Sequence, residues 1–432
     1  MLKPILGKTQ NQFMRLNKKE NNLWDVAVIG GGPAGMMAAG RAAERGRSVL
    51  LLEKNPTLGK KLLLTGGGRC NLTNNIPDIR LMLAKYKKSG KFLFSAFSQF
   101  GAEETIEFFN SRGIATKEEE GGRIFPASNQ AQSVLDALIR YMKKGGVEIQ
   151  TNAEVGVLTA GAKKKHFNIR IKDGKEIKAK SCVIATGGIA LPATGSTGDG
   201  FRWLKKAGHT IHENNLALVS VALKDGWAKK LSGIILEDIK LAIFQNGRKY
   251  GTGRGKMLFA HFGITGPMVL DMSNKIGELI KRGEVVIALD LFPALDHGAL
   301  KKKLLELFTS ESNKKLKNTL ILLIPSALVL EILEMAHIDS ETFNHSLKSK
   351  DRARLLVLLK NIPLNVQGLL GADKAIASSG GAELREVDFK TMQSRLAPHL
   401  YIVGDALNVD RASGGYSLQL CWTTGFVAGD NC

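Results

Sequence analysis

The sequence predicts an α/β fold, in which a three-layer domain built on a parallel sheet is interrupted by an inserted small β-barrel and a helical part. Three observations lead to this prediction. A strand, glycine turn, helix and second strand follow one another at 24–54. Another apolar strand runs into a glycine turn at 181–188, and a late strand ends in Gly404-Asp405. The long stretch between the last two differs in texture, so we expect it to be an insertion.

The first βαβ unit has the features of a dinucleotide-binding turn. Residues 26–29 form a short apolar run, which suits a buried parallel strand. Gly30, Gly32 and Gly35 follow in the spacing G-x-G-x-x-G. The first glycine permits the turn, the second admits a pyrophosphate, and the third lets the helix pack closely. The helix predicted over 34–45 offers its N-terminal N–H groups and dipole to phosphate.

An acidic residue completes this unit. The strand predicted over 48–52 is followed by Glu53, which lies 21 residues after Gly32. A carboxylate at that place accepts hydrogen bonds from an adenosine ribose. The glycine spacing alone is weak evidence, but strand, glycines, helix, strand and acid together predict a Rossmann-like domain that binds FAD or NAD(P).

The composition is that of a soluble globular protein with a basic surface. At 432 residues the chain has room for two or three domains. The net charge of +21 favours polyanions, and 80–91 carries five basic residues and no acid. We therefore expect a nucleic-acid partner, with a generally basic solvated surface as the alternative. The longest apolar run, 320–330, is interrupted by Pro325 and too short for a membrane span, so no stable membrane association is expected.

The four cysteines carry no motif. None forms a C-x-x-C pair, and no His/Cys cluster has zinc spacing. This pattern predicts free thiols, a reducing cytoplasm and no metal site. Residues 1–23 are basic and polar and lack the apolar core of a secretory signal, so we expect a disordered tail; a start at Met14 and a transit peptide are alternatives.

The remaining elements predict how the chain is divided. The loop 58–74 has three successive glycines, which suit close backbone approach to a ligand. Helices are predicted at 92–112 and 131–144, a third parallel strand at 147–149, a β-meander over 153–180, barrel strands within 215–292 and helices within 296–360, one starting at Pro325. The expected domains are a tail (1–23), a nucleotide-binding domain (24–202 and 366–432), a barrel (203–295) and a helical part (296–365).

These elements resemble known flavoproteins. The order of βαβ unit, meander and a strand ending in Ala-Thr-Gly is similar to the superfamily of FAD proteins with the glutathione-reductase-type fold. There the A-T-G strand passes beneath the FAD, and a late Gly-Asp binds its ribityl or pyrophosphate. Five stretches resemble the BaiN/YhiN-like family of bacterial FAD-dependent oxidoreductases over nearly all of 24–430. They are 66–74, 121–128, 185–201, 258–270 and 391–429.

The resemblance implies a function. Family members are described as NAD(P)H-dependent reductases, some assigned to bile-acid C=C reduction and others to making dihydrouridine in large-subunit ribosomal RNA. We expect FAD as the held cofactor. NAD(P)H would be a transient donor in the same cleft, because no second G-x-G-x-x-G unit exists. The expected reaction is hydride transfer from flavin N5 to a conjugated C=C, with a ribosomal RNA uridine as substrate. The alternatives are a small-molecule enoyl or steroid reductase and an RNA-binding flavoprotein with non-catalytic FAD.

The sequence departs from the family at three places. Gly404-Asp405 stands where the family usually has Gly-Glu, although the broader superfamily uses Asp there. Asn408 replaces a frequent Asp, which makes an acid–base role at that position doubtful. The usual T-x-G-G-V is S-S-G-G-A at 378–382.

The predicted site combines cofactor contacts and proton donors. The helix over 416–428 should aim its N-terminus at the flavin and stabilise the anionic reduced ring. The expected FAD contacts are Gly30, Gly32, Pro33, Ala34, Gly35, Glu53, Lys54, Lys61, Gly67, Gly68, Arg69, Asn71, Thr186, Gly187, Gly404, Asp405, Gly414, Gly415, Tyr416, Ser417 and Leu418.

Reduction of a C=C also needs a proton, for which Cys70, His261 and Tyr416 are the candidates. Arg69 beside Cys70 is expected to lower the pKa of its thiol. A buried structural cysteine and a structural histidine are the alternatives for the first two residues, and Tyr416 would otherwise pack on the flavin.

Overall fold

A computed structural model of the protein describes residues 23–160, 166–371 and 377–432. The predicted tail lies outside these ranges except for Leu23. The α-helices, in chain order, are α1 (Pro33–Glu44), α2 (Lys60–Leu64), α3 (Ile79–Ala84), α4 (Gly90–Gln99), α5 (Ala102–Asn110), α6 (Ala131–Gly145), α7 (Asp199–Lys206), α8 (Gly226–Lys230), α9 (Pro267–Ile280), α10 (His297–Ser310), α11 (Leu316–Leu320), α12 (Ser326–Met335), α13 (Ser349–Lys360) and α14 (Tyr416–Asn431).

The β-strands, in chain order, are β1 (Leu23–Ile29), β2 (Val49–Leu52), β3 (Thr73–Asn74), β4 (Thr116–Glu119), β5 (Arg123–Pro126), β6 (Glu148–Gln150), β7 (Val155–Ala160), β8 (Phe167–Ile171), β9 (Glu176–Ile184), β10 (Ile211–Ala217), β11 (Val221–Leu223), β12 (Ile235–Gln245), β13 (Arg248–Ala260), β14 (Gly263–Thr265), β15 (Val286–Asp290), β16 (Ile362–Leu369), β17 (Ala377–Ala382) and β18 (Leu400–Ile402).

The chain forms two compact units. One contains the residues up to 215 together with 377–432, and the other contains 216–376. Both changes of unit come later in the chain than the domain boundaries predicted at 202/203 and 365/366. No helix among the described residues is long and apolar enough to cross a membrane.

The first unit is organised around a sheet in the order β6-β2-β1-β9-β8-β7. β6, β2, β1 and β9 pair in parallel, and Val28 of β1 stands between Leu51 of β2 and Val183 of β9. The long strand β9 pairs with two strands on the side away from β1. β8 pairs antiparallel with its first half, and β18 pairs parallel with Cys182–Ile184. The central parallel strands are buried over 26–29, 49–52 and 181–184 and are rich in branched aliphatic residues, as a sheet covered on both faces requires, whereas the edge strand β6 is only half-buried. The predicted α/β, Rossmann-type class is confirmed.

Helix α1 packs against both the sheet and α14, and two glycines of α14 allow the close approach. A Cβ on Gly425 would lie 2.5 Å from the Ala34 carbonyl oxygen, and one on Gly429 would lie 2.5 Å from that of Ala38. Any larger residue would therefore force the helices apart. The packing brings α14 against α1, and the N-termini of both helices lie in the first unit.

The second unit contains a closed barrel in the order β11-β14-β13-β12-β15-β16. Glycines at alternate positions of β13 let helix α9 lie against this strand. A Cβ on Gly253 would lie 2.7 Å from the sulfur of Met272 and 2.8 Å from Cγ of Met268. The helices α10 to α13 bury leucines and isoleucines in the same core as the barrel. Pro325 directly precedes α12 at its N-cap, where its missing N–H costs nothing.

Three predicted elements differ from those observed. The helical stretch predicted over 92–112 is observed as two helices: α4 ends and α5 begins around Gly101, whose N–H donates to the Glu104 carboxylate (2.8 Å). The loop 58–74 contains the short helix α2 and a 3₁₀ turn, Thr65–Gly68. The late strand ends at Ile402, because Gly404 takes a left-handed φ of 60° and begins a turn.

A buried histidine makes the stability of the first unit depend on pH. His209 places Nδ1 3.1 Å from Oε2 of Glu386 and Nε2 2.7 Å from Oγ of Ser394. Burial lowers the pKa of His209, although Glu386 opposes the shift. The unfolded chain therefore binds a proton as pH falls below about 6.5, whereas the folded chain does so only at lower pH. We expect the free energy of unfolding to fall with pH below this value.

Urea unfolding of the wild type and of His209→Gln at about pH 7.5 and about pH 5.5 measures this contribution. The His209→Gln variant is expected to be less stable than the wild type at the higher pH. Between the two pH values it should lose less stability than the wild type does. Equal pH dependence in the two proteins would contradict the role given to His209.

Candidate active site

The glycine turn after β1 forms a tight cradle that is open on one side. Gly30 has a φ of 109°, and a Cβ there would lie 2.4 Å from the Ala185 carbonyl oxygen. A Cβ on Gly35 would lie 1.9 Å from the Gly30 oxygen, whereas one on Gly32 would meet nothing within 4 Å. The first and third glycines are thus required by the fold, and the second faces open space at the N-terminus of α1, which begins at Pro33. This shape fits a pyrophosphate.

Glu53 stands at the end of β2 as an oriented carboxylate. The side chain is buried, its Oε2 accepts from Gly31 N (2.7 Å), and its Oε1 accepts from the Asn55 N (2.8 Å) and Nδ2 (2.7 Å). Because a carboxylate oxygen accepts two hydrogen bonds, Oε2 can still take a hydroxyl. Asn55, which the sequence prediction missed, holds the carboxylate in place.

Two lysines follow, and they have different partners. Lys54 donates to Asp199 (2.8 Å) and Thr197 (2.6 Å), so its charge is compensated within the protein. Lys61 donates to the Ala190 carbonyl and to Oγ of Ser196, both at 2.7 Å, and neither partner is charged. Burial lowers the pKa of Lys61, against the attraction of nearby Asp405. One of its three N–H donors is left for an anionic or carbonyl oxygen.

The glycine loop presents backbone on its outer side and turns its polar side chains inward. Gly67 and Gly68 are exposed, with φ values of 68° and 87°. Arg69 makes a bidentate pair with Glu119, at 2.9 and 3.2 Å, and its guanidinium lies 4.0 Å above the Phe125 ring. Through Glu119 of β4 and Phe125 of β5, Arg69 fixes the loop against the small sheet of β3, β5 and β4.

Asn71 ties this loop to the start of α14. In the amide orientation that satisfies its neighbours, its oxygen accepts from Gly415 N (3.2 Å) and its nitrogen donates to the Thr73 carbonyl (2.9 Å). A Cβ on Gly415 would lie 2.8 Å from that carbonyl, so the contact needs glycine. Arg69 and Asn71 therefore position the loop, and their direct contact with FAD stays a prediction.

Cys70 is not the activated thiol that its neighbour suggested. Its side chain is 0% exposed, and burial raises the pKa of the thiol to about 12. Arg69 does not lower this pKa because its guanidinium is turned towards Glu119. A fully buried thiol reaches no substrate, which favours the structural alternative for Cys70.

Alkylation tests this assignment. We expect iodoacetamide at about pH 8 to leave Cys70 unmodified in the native protein and to modify it after denaturation, because only the thiolate reacts. Peptide mass spectrometry measures both states, with Cys421 as the internal comparison, since burial also raises its pKa to about 12. Rapid native labelling of Cys70 would contradict its burial.

A buried arginine beside the late strand was missed by the sequence prediction. Arg411 is 3% exposed and pairs with Asp405 directly after β18. It also donates to Oγ of Ser417 (2.8 Å) and to the Val409 carbonyl (3.0 Å). One guanidinium thus joins the Gly-Asp turn to the first turn of α14. The only sequence signal is a lone arginine between two glycine motifs.

Tyr416 begins α14 with its ring inside the protein. The residue is 5% exposed, and its ring meets Tyr86 edge to face at 6.1 Å. The Tyr86 hydroxyl donates to the Tyr416 carbonyl (2.8 Å). This burial argues against Tyr416 as proton donor. Gly414 and Gly415 have φ values of 117° and 100° and lead the backbone into the helix, of which Leu418 is also buried.

The turn after β9 contributes an orphaned hydroxyl. Oγ1 of Thr186 is buried and has no hydrogen-bond partner among the described residues. A Cβ on Gly187, whose φ is 71°, would lie 2.8 Å from Oγ of Ser196. The turn therefore approaches the loop that also receives Lys61. A buried hydroxyl without a partner is costly and fits a site completed by a polar ligand.

His261 lies in the other unit. It occupies the turn between β13 and β14, is exposed, and contacts Phe262 edge to face at 4.9 Å. The first unit thus contains most of the predicted FAD contacts. The role of His261 as proton donor stays a prediction. The orphaned hydroxyl, the open Gly32 and the ligand capacity of Glu53 and Lys61 fit FAD.

The chain is similar to known proteins over nearly its whole length. Residues 24–431 match the family described as "HI0933-like protein Rossmann domain". A 3-dehydro-bile acid delta(4,6)-reductase of Clostridium scindens is 33% identical over 411 residues, covering 94% of this chain and 98% of that protein. A ribosomal RNA dihydrouridine synthase of Escherichia coli is 29% identical over 407 residues, covering 94% of this chain and 96% of that protein.

Solved structures agree on the fold. An open conformation of a flavocytochrome c3 fumarate reductase superposes with a TM-score of 0.52 at 15% identity, covering 100% of this chain and 84% of that one. A 3-ketosteroid-delta4-(5alpha)-dehydrogenase of Rhodococcus jostii RHA1 also reaches a TM-score of 0.52, at 14% identity, covering 95% of this chain and 97% of that one. At such identities the likeness concerns the fold alone.

Proposed function

We propose a function from one premise: the chain belongs to the HI0933-like Rossmann family, and it is an FAD-dependent oxidoreductase. The proposed reaction is the reduction of a conjugated C=C bond with NAD(P)H as transient donor. The proposed substrate is a uridine of large-subunit ribosomal RNA, which becomes dihydrouridine. The target base has to be unpaired or flipped out to reach the site.

The similarity to the two enzyme classes supports the reaction, and the charge supports the substrate. A delta(4,6)-reductase and a dihydrouridine synthase are both named for saturating C=C bonds, and both cover more than nine tenths of the chain. The net charge of +21 is the observation that favours RNA over a small steroid, because a polyanion gains most from such a surface.

The residues of the first unit have separate tasks in this proposal. When bound, FAD supplies the hydride from its N5. The backbone at Gly32 and the start of α1 receive the pyrophosphate, and Glu53 receives the ribose hydroxyls. Asp405, braced by Arg411, and the free N–H of Lys61 hold polar groups of the cofactor. The N-terminus of α14 offers a positive dipole end to developing negative charge.

The proton needs a different donor from the two buried candidates. Cys70 and Tyr416 have side chains inside the protein. Lys61 keeps one N–H donor and has a pKa lowered by burial, which makes its ammonium a better acid. Lys61 and His261 are therefore the donors we propose to test.

The experiment is reduction of an unmodified large-subunit ribosomal RNA transcript by the FAD-loaded enzyme. Dihydrouridine, measured by liquid chromatography and mass spectrometry after digestion, is expected only when enzyme and NADH or NADPH are both present. Ribosomal RNA from a deletion strain should lack the same dihydrouridine. Unchanged dihydrouridine in that strain, together with no conversion of the transcript, would overturn the RNA substrate.

A small-molecule reductase is the second candidate, and a pocket favours it. In the first unit the apolar side chains of Ile189 and Phe201 line an open pocket together with the cationic side chains of Arg202 and Lys205 and with Asp199, which pairs with Arg202. Apolar walls with cationic groups suit an amphipathic carboxylic acid. A panel of enone acids and neutral enones, followed by NADH consumption, tests this reading. Turnover of the acids without any conversion of RNA would favour this second candidate.

A further inference from the structure

We propose that the surface of α3 and α4, called here the basic hairpin (79–99), docks the phosphate backbone of the RNA substrate. This inference rests on the proposed function and adds the place where the RNA is held. The basic hairpin lies in the same unit as the FAD residues, and its charge, its exposed aromatic ring and its attachment to the α14 loop carry the argument.

The basic hairpin carries positive charge without local compensation. It contains Arg80, Lys85, Lys87, Lys88 and Lys91, and no Asp or Glu lies between Asp78 and Glu103. All five cationic residues are exposed. Among the described residues only Lys87 has an ion-pair partner, which is Asp410 at 2.7 Å. The other four are free to replace the counterions of a polyanion.

An exposed aromatic ring lies on the same face as a lysine. Phe94 is 47% exposed and follows Lys91 by three residues on α4, so the two side chains point to neighbouring positions. The opposite side of the hairpin is anchored in the core by Leu83, Leu93 and Phe97. A solvent-exposed ring beside cations is what stacks an unpaired base while the backbone is held.

The basic hairpin is bonded to the loop that leads into α14. The Tyr86 hydroxyl donates to the Tyr416 carbonyl (2.8 Å), and the Ala412 N–H donates to the Lys85 carbonyl (2.9 Å). The ion pair of Lys87 with Asp410 makes a third link. RNA held on the hairpin would therefore lie next to the chain segment that carries Arg411 and begins α14, and a flipped base would have a short way to the site.

RNA fits this surface better than an anionic membrane. Only Leu81 and Phe94 are large exposed apolar residues of the hairpin, at 62% and 47%, and they lie on different helices. A membrane-bound helix needs a continuous apolar face, whereas a nucleic acid needs cations and single stacking positions.

Two triple variants of equal charge test the proposal. Lys85→Gln, Lys88→Gln and Lys91→Gln remove three of the five cationic residues of the basic hairpin. The matched control replaces Lys301, Lys302 and Lys303 of α10 by Gln, three exposed lysines of the other unit. FAD content and Tm should be unchanged in both, because all six lysines are exposed.

Binding is measured with the FAD-loaded proteins and a fluorescein-labelled, uridine-containing single-stranded RNA of about 16 nucleotides over a salt series. For the hairpin variant we expect at least about tenfold weaker binding near 0.15 M salt and a log–log salt slope smaller by about 2. The control should stay within about twofold of the wild type. Phe94→Ala should weaken binding of the single strand but not of an RNA duplex.

The other outcomes decide against the docking surface, against the proposed function or against both. Equal losses in the two triple variants would assign RNA binding to bulk charge, and an unaffected hairpin variant would place the RNA elsewhere; neither result touches the proposed reaction. Loss of binding to phosphatidylserine vesicles with RNA binding intact would make the hairpin a membrane surface. RNA that is bound on the hairpin but not converted to dihydrouridine would instead refute the proposed function and keep the docking surface. A wild type that binds no RNA would overturn both.

Discussion

Gly32→Val is expected to give a folded protein that carries almost no FAD. Gly32 has a φ of −80° at the N-cap of α1, which valine can adopt, and a Cβ there meets no protein atom within 4 Å. The side chain would fill the open side of the cradle in which the pyrophosphate is proposed to lie. We expect FAD affinity to fall at least about a hundredfold, or about 2.7 kcal/mol. The ratio of flavin to protein absorbance after gel filtration measures it.

Gly35→Ala is the matched comparison. Its Cβ would lie 1.9 Å from the Gly30 carbonyl oxygen, so the turn itself must move. We expect a loss of stability of about 1–3 kcal/mol together with loss of FAD. Circular dichroism and urea unfolding separate the two cases. Gly32→Val should keep the fold and the stability of the wild type, whereas Gly35→Ala should be less stable. Full FAD content in Gly32→Val would place the pyrophosphate elsewhere.

Arg411→Met is expected to destabilise the first unit strongly even with excess FAD. The side chains of Arg411 and Asp405 are only 2% and 13% exposed, so methionine would leave a buried carboxylate without its partner. Removal of one member of such a pair costs about 3–5 kcal/mol. The contact with Ser417 would be lost as well, which releases the first turn of α14. Urea unfolding at saturating FAD measures the effect.

The double variant Arg411→Met with Asp405→Asn isolates the effect of the unpaired Asp405 charge on stability. It removes the unpaired carboxylate, so we expect it to be more stable than Arg411→Met alone. Arg411→Lys keeps the charge but not the three-way contact, and it should fall between the wild type and the methionine variant. A single variant as stable as the wild type would show that the pair contributes nothing to this turn.

Local sequence patterns predicted the cofactor half of the site. Gly30, Gly35 and Glu53 act through backbone geometry and charge within one βαβ unit, and their spacing carries this information. The strand before Thr186 and the Gly-Asp turn were also predicted, because apolar runs that end in glycine indicate buried strands with sharp exits. The family match over 24–431 agrees with these local patterns.

Long-range contacts account for the errors. The pKa of Cys70 was expected to be lowered by Arg69, but the arginine binds Glu119, fifty residues later in the chain. Sequence neighbours of a residue do not reveal which group its side chain meets. Arg411 was missed for the same reason. Its burial and its contact with Ser417 depend on how the chain packs around α14, which the local sequence does not reveal. The helical stretch predicted over 92–112 divides at Gly101, a break that the helical spacing of apolar residues does not reveal.

The sequence by itself determined the α/β class and the dinucleotide turn, because these depend on the short-range spacing of glycines, apolar runs and one acid. FAD as the bound nucleotide followed from the resemblance to known flavoproteins. The sequence also revealed the acid-free basic stretch at 80–91. The tertiary structure decided which predicted groups lie at the surface of the site. It buried Cys70 and the Tyr416 ring, joined Arg411 to Asp405, and attached the basic hairpin to the α14 loop. Burial and ion pairing depend on residues distant in sequence, and only folding brings these together.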